Sequence, residues 1–345
     1  MTNTPDARPV RDDAATRESP RIAVCIATLH RTDGLRRALE SVAAQDFTAL
    51  DGAAPRLRAF VANNDPADRA PHAVAAEVRA QAGLEVDVVD VAERGTAPPR
   101  NALLSAARGD SDMIAFLDDD EEAPPRWLAS LLRTKHATRA DIVTGGVVPR
   151  FERTPPRWAT ELRLFERPRR PTGSPRPWAF TGNVLFDASL LESLDRWFDR
   201  RFTQGEDRHF FARLAATGAR IVWCDEDPPV EFVPAARVDP RWIARRMRAI
   251  GRAVTAIERD TPARRFAAPR NLAKGLVWLG VGSAQWTAGI ALGEVQRVAG
   301  RRLVAYGLGL VEGALGVGAA GAGTSGAGDE AVDPSSMGGG SRPRS

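Results

Sequence analysis

Met113-Ile114-Ala115-Phe116-Leu117-Asp118-Asp119-Asp120-Glu121-Glu122 sets five apolar residues directly before five acids. A continuous apolar run of this length predicts a strand buried on both faces. Ala123-Pro124-Pro125 blocks its continuation, and Arg126-Trp127-Leu128 opens a helical pattern with Pro125 near the first turn. The acids therefore fall at the carboxyl end of a buried strand, where open α/β sheets bind their ligands. Adjacent carboxylates repel one another unless a cation stands among them. Asp118 and Asp120, two residues apart, are spaced to turn toward one divalent ion, and carboxylate oxygens suit Mg²⁺ or Mn²⁺. An isolated acid run is more often a solvated loop. The buried strand before this one and the Pro-Pro-x-Trp after it argue instead for a site.

Upstream, strands are predicted over 21–28, 57–62 and 86–91, each followed by a helical stretch. Thr32 or Asp33 is placed to cap the first helix, whose Leu35, Leu39 and Val42 share one face. Strand and helix in alternation with short connections predict right-handed βαβ units and a parallel sheet. Thr28 to Arg31, Asn63 to Asp65 and Asp118 to Asp120 each follow a strand, so all should gather on one rim. Downstream the pattern loosens. A strand is expected over 141–148. Residues 152–177 are rich in Arg and Pro, and a loop of that length is functional or mobile. A strand broken by Gly182 is expected over 178–186. Gly205-Glu206-Asp207 opens a helix through Phe210, Phe211 and Leu214 that closes at Thr217-Gly218. A last strand covers 220–224.

The chain has 345 residues, 43% apolar and 27% charged, with a net charge of +4. This is ordinary globular composition. Only Lys135 and Lys274 are lysines among 48 basic residues. That Arg excess, alongside much Ala, reads as genomic base composition and not as nucleic-acid binding. Cys25 and Cys224 both lie in apolar runs and read as buried thiols of a reducing compartment. Residues 1–20 are polar, without a signal-peptide pattern, and read as a disordered arm, as does the Gly-, Ala- and Ser-rich tail 318–345. His30 and His209 lack paired ligand spacing and are read neither as metal ligands nor as a base.

At Asp239-Pro240 a helix begins in which Trp242, Ile243, Met247, Ile250, Val254 and Ile257 form a stripe flanked by Arg241, Arg245, Arg246, Arg248 and Arg252. Such a helix either lies on a membrane surface or packs on its own domain. Gly275 to Gly293 is then 19 residues without charge, of marginal hydrophobicity. It predicts an interfacial or re-entrant hairpin with Leu303 to Val311 in preference to a membrane span. Arg264, Arg265, Arg270 and Lys274 precede it, placed to face anionic headgroups on the cytoplasmic side.

Taken together, the chain resembles the inverting family 2 glycosyltransferases of GT-A fold, and within them bacterial exopolysaccharide enzymes of the succinoglycan type. The resemblance covers about residues 20 to 260. It is carried by Ala27-Thr28-Leu29-His30-Arg31, Asn63-Asn64-Asp65, Gly95 with Arg100-Asn101, Phe116 to Asp120, Thr181-Gly182-Asn183 and Gly205-Glu206-Asp207. Each is weak alone, but six in the family's order specify the fold and reaction class. The resemblance implies a Rossmann-like, mostly parallel central sheet flanked by helices over 21–238. A helical, membrane-associated segment follows over 239–317.

It further implies a nucleotide-sugar donor, UDP-linked by preference, held by Thr28, His30, Arg31, Asn63, Asp65, Arg100, Asp118 and Asp119. A divalent ion sits on Asp120 with Asp118, and Asp207, with Glu206 beside it, is the catalytic pair. Arg100 is a forked donor to the diphosphate. The acceptor is a saccharide, lipid-linked, which places the enzyme on the inner face of the plasma membrane. Two departures stand out. Asn63 replaces an Asp that accepts from the nucleotide base, although an Asn carbonyl also accepts. Glu231 lies near the place of a metal-binding His. Two other readings are weaker. A nucleotidyltransferase would carry a Gly-rich, Lys-bearing loop that 27–34 lacks, and a silent glycan-binding scaffold has no use for Asp118, Asp120, Glu206 and Asp207.

Overall fold

The structure is a computed structural model and describes residues 19–260 and 266–317. The expected disordered segments, apart from residues 19 and 20, lie outside these residues, as do Arg264 and Arg265. The first half alternates as predicted: β1 (Arg21–Thr28), α1 (Thr32–Ala43), β2 (Arg56–Asn63), α2 (Ala70–Ala82), β3 (Glu85–Asp90), α3 (Ala97–Ala107) and β4 (Met113–Phe116). These strands pair in parallel in the order β3-β2-β1-β4. Thr28 registers with Asn63, and Cys25 with Phe116, so the polar strand ends share a rim. Every residue of β4 is buried, as its unbroken apolar sequence requires. Val24, Ile26, Leu35, Leu39 and Trp127 fill one side of the sheet. Phe60, Phe116, Phe186, Phe210 and Phe211 fill the other.

Several local expectations are corrected. α1 already includes Thr32 and Asp33, and its N-cap is Arg31, so neither fills the capping position. The strand expected over 141–148 is two strands in different sheets, β6 (Ile142–Gly145) and β7 (Val148–Phe151), parted at Gly145-Gly146. A side chain at Gly145 would stand 2.6 Å from the Cys224 carbonyl, so a neighbouring strand passes too close for one. Only Val184–Asp187 of the 178–186 stretch is a strand, β9, and it runs antiparallel between β4 and β6. The residues before it form a buried loop, in which Asn183 accepts from the Trp127 indole at 2.8 Å and donates to Gly146 at 2.8 Å.

Within 152–177 lie a short helix, α5 (Arg157–Glu161), and a two-residue strand, β8 (Pro175–Arg176). The helix after the acid run is α4 (Trp127–Thr138), and the one from Glu206 is α6 (Glu206–Ala216). β10 (Ile221–Cys224) is followed by a further strand, β11 (Val230–Val233), so it is not the last. β11 pairs with β5 (Glu121–Glu122) and with β7 in a small second sheet. That sheet takes in the last two residues of the acid run.

Three long helices follow: α7 (Pro240–Asp260), α8 (Ala267–Leu292) and α9 (Glu294–Ala314). Ile243, Met247, Ile250 and Val254 of α7 are buried among Trp158, Tyr306 and Leu310. Of the two readings left open for this helix, packing on its own chain holds, and its stripe is not a membrane face. α8 and α9 form the expected helical hairpin. No helix among the described residues is long and apolar enough to cross a membrane.

Candidate active site

The carboxyl ends of β1 and β4 meet through side chains. Thr28 Oγ1 donates to Asp119 at 2.8 Å. Arg31 Nη1 donates to Asp119 at 2.8 Å and to Asp120 at 2.9 Å. Arg237, just after β11, lies 3.1 Å from Asp120 and 3.2 Å from Glu231. The Asp120 carbonyl accepts from the Phe232 N–H at 2.8 Å, which locks β11 against the acid run. Glu121 and Glu231 are direct partners across the β5–β11 pair. Burial raises the pKa of Asp119 and Asp120 despite their arginines, and raises that of Glu121 and Glu231, with neighbouring carboxylates adding to both. Like charges confined together out of water account for this. Beside Asp119 and Asp120 opens a cleft of about 550 Å³, lined also by His30, Arg31, Arg37, Glu152 and Phe232.

The second half of the site comes from α6. Gly205, at φ 72°, turns the chain into that helix, a conformation only glycine takes without strain. Asp207 is 2% exposed, and its Oδ1 accepts from the Arg208 N–H at 2.6 Å. No donor among the described residues reaches its Oδ2. Glu206 is different, because Arg100 Nη1 donates to it in a buried ion pair, and Arg100 Nη2 lies 3.6 Å from Asp118. Burial alone would lower the Arg100 pKa, yet Glu206, Asp118 and Asp207 together hold it above its ordinary value. Arg100 is thus neither a surface residue nor an unengaged fork awaiting a diphosphate. It ties α3 to the two carboxylate clusters. Glu206, committed to it, holds the frame around Asp207.

The residues expected on the nucleotide side are brought together at the ends of β1, β2 and β3. His30, at φ 56°, lies 3.1 Å from Asp65, which Arg94 also approaches at 3.3 Å. Asn63 donates to Asp90 at 2.8 Å and to the Asp68 carbonyl at 2.9 Å, and its own carbonyl accepts from the Asp65 N–H at 3.2 Å. His209, on α6, is not isolated: its Nε2 lies 2.7 Å from Asp260.

Three residues escape sequence reasoning. Asp90 places beside Asn63 the carboxylate that position 63 lacks, and only the β2–β3 register reveals it. Arg237 carries no spacing signal. Arg167 comes from the unpatterned 152–177 stretch and stacks 3.6 Å from the Phe180 ring. Burial lowers its pKa against the opposing pull of Glu121, Glu231, Asp207 and Asp118.

Residues 23–194 match the profile of Glycosyl transferase family 2. The succinoglycan biosynthesis protein ExoM of Rhizobium meliloti (strain 1021) is 30% identical over 233 residues, 65% of this chain and 70% of that protein. Among solved structures, the mannosyltransferase PcManGT from Pyrobaculum calidifontis, in complex with GDP-Man and Mn²⁺, is 20% identical with a TM-score of 0.57. The match covers 86% of this chain and 87% of that one, a likeness of fold. With the strand order, the acid run and the Glu206-Asp207 pair in place, the chain belongs to glycosyltransferase family 2 and is a transferase of the GT-A fold.

Proposed function

We propose that this enzyme moves a sugar, with inversion, from a nucleotide-sugar donor, UDP-linked by preference, to a saccharide acceptor that is lipid-linked at the inner face of the plasma membrane. Residues 21–238 form the catalytic domain and 239–317 its helical, membrane-side segment. The reading rests above all on Asp207, a buried carboxylate with one oxygen left without a donor among the described residues. A single displacement needs a base to take the acceptor hydroxyl's proton as attack proceeds. Asp207 is that base, and Arg100 with Glu206 positions the helix start that carries it. Thr28, His30, Arg31, Asn63 and Asp65 bind the nucleotide, with Asp119 fixing Arg31 and Thr28. Asp90 joins this group.

The donor set fits a hard divalent ion. Asp120 and Asp118 would hold Mg²⁺ or Mn²⁺, and the crowding of Asp120 with Glu121 and Glu231 leaves an excess of carboxylate that a cation relieves. Bound there, the ion supplies charge neutralisation to the departing diphosphate. Arg31, Arg167 and Arg237 provide the protein's own positive charge around the same acids.

The test is a donor screen of the purified protein with Mn²⁺, reading nucleoside diphosphate release with and without membrane lipid extract. One nucleotide sugar turned over, and turned over faster with the extract, supports the reading. No release from any nucleotide sugar, extract present, refutes it.

A further inference from the structure

α8 is held to the rest of the chain by a narrow stripe. Gly275, Gly282 and Gly289, one every two turns, are its buried positions over that length; on α9 Gly275 meets Gly307, Gly282 meets Gly300 and Gly289 meets Arg297. A side chain at Gly282 would stand 2.9 Å from the Gly300 carbonyl, and one at Gly307 would stand 2.7 Å from the Gly275 carbonyl. The two backbones touch. Everything else along this stretch of α8 turns outward or lies half-buried. Val277 is 61% exposed, Val281 48%, Trp286 51%, Ile290 71% and Leu292 70%. A water-soluble helix hides its apolar residues and shows its charges, whereas here the packed stripe is glycine and the outward surface from 275 to 293 is uncharged and mostly apolar, with Ser283 and Thr287 its exposed polar side chains. Close packing through small residues, with large apolar ones facing outward, is how helices associate when lipid is the surrounding solvent.

We propose that the outward face of α8 is a docking surface for an anionic lipid bilayer. The helix lies in the interface, since none of the described helices has the length and apolarity to cross. Charge complementarity selects this occupant over a second copy of the chain. Exposed Lys274 stands at the start of the uncharged stretch and exposed Arg297 near the turn that ends it, with exposed Arg301 beside its middle on α9; Arg270 is ion-paired with Glu258, and the hairpin shows one exposed acid, Glu294. Cations bordering an uncharged, mostly apolar face suit phosphate headgroups beside acyl chains, whereas two copies in contact would oppose these cations. The hairpin is joined to the site: Val298, Ala305 and Tyr306 of α9 pack with Trp158 of α5, in the 152–177 segment that delivers Arg167 to the acids. A lipid-linked acceptor would therefore meet the enzyme at its membrane face. This deepens the reading of the acceptor and rests on it for its purpose, but lipid binding is measured without any transfer reaction.

The test is co-sedimentation of the full chain with vesicles of phosphatidylglycerol and phosphatidylcholine, and with phosphatidylcholine alone. The Val281→Glu/Ile290→Glu variant runs beside it, with its melting temperature checked. Both positions are exposed and glutamate is a good helix former, so the fold should stand. The chain is expected to sediment with the anionic vesicles, about tenfold more weakly with neutral ones, and the variant to remain in the supernatant with its melting temperature unchanged. A wild-type chain that ignores both vesicles, or a variant that binds as well as wild type, overturns the proposal. A wild-type dimer by light scattering that the two substitutions split, without lipid binding, assigns the face to a second copy.

Discussion

Arg100 and Glu206, 106 residues apart in the chain, form a buried ion pair immediately beside Asp207. The pair joins the helix after β3 to the helix that carries the proposed base. Removing one partner leaves the other charge buried alone. Arg100→Leu is expected to destabilise the fold by about 3–5 kcal/mol, while Arg100→Leu/Glu206→Leu should cost clearly less than the sum of the single changes. Urea unfolding of the three variants checks this, and additive costs would show that the pair does not act as a unit.

The α8–α9 contact has no room for a side chain. Gly300→Leu should cost about 1–3 kcal/mol or more through overpacking, and should open α8 to limited proteolysis ahead of the catalytic domain. An unchanged melting temperature with an uncut α8 would contradict the close approach.

Asp199 sets a pH dependence. Hydrogen bonds from Arg201 hold its carboxyl at about 2, below the ordinary 3.8, against the opposing effect of burial. A depressed carboxylate contributes stability that is fully present above the unfolded-state pKa and lost as pH falls through the folded one. Stability should therefore decline between pH values near 3.8 and about 2. Asp199→Asn should flatten that slope and cost of order 1–2 kcal/mol near neutral pH. Denaturant titrations at several acid pH values measure it.

Asp120 accepts from Arg31 and lies 3.1 Å from Arg237, and it is the residue assigned to the divalent ion. Titration calorimetry of UDP should show Mn²⁺ strengthening binding to the wild-type chain, and Asp120→Asn should remove that enhancement. Undiminished binding and turnover in EDTA would sink the assignment.

Much of the first half was legible because each element there obeys one period. β4 reads directly as a buried strand, and parallel pairing forces Thr28, Asn63 and the acids onto one rim. The helix from Glu206 was equally plain, since Gly205 and Thr217-Gly218 mark its ends. What stayed hidden depends on contacts distant in sequence. β6 and β7 look like one apolar run until the approach of Cys224 to Gly145 divides them. The apolar stripe of α7 is compatible with lipid or with protein, and only Tyr306 and Leu310, some sixty residues on, decide for protein. Asp90, Arg167 and Arg237 sit in stretches whose local pattern says nothing of the site. The engagement of Arg100 with Glu206 is likewise a property of the fold, not of either motif.

The central claim is that Asp207 takes the proton of the acceptor hydroxyl. Its Oδ2 is buried and has no donor among the described residues, and the helix position itself is capped by Gly205. Asp207→Asn preserves shape and leaves the Arg100–Glu206 pair in place. The decisive measurement is the single-turnover transfer rate of this variant beside its donor affinity and melting temperature. The account predicts a rate lower by roughly 10²–10⁴, the usual worth of a general base, with affinity and stability close to wild type. A variant that transfers at near wild-type rate would contradict it and remove Asp207 from the mechanism.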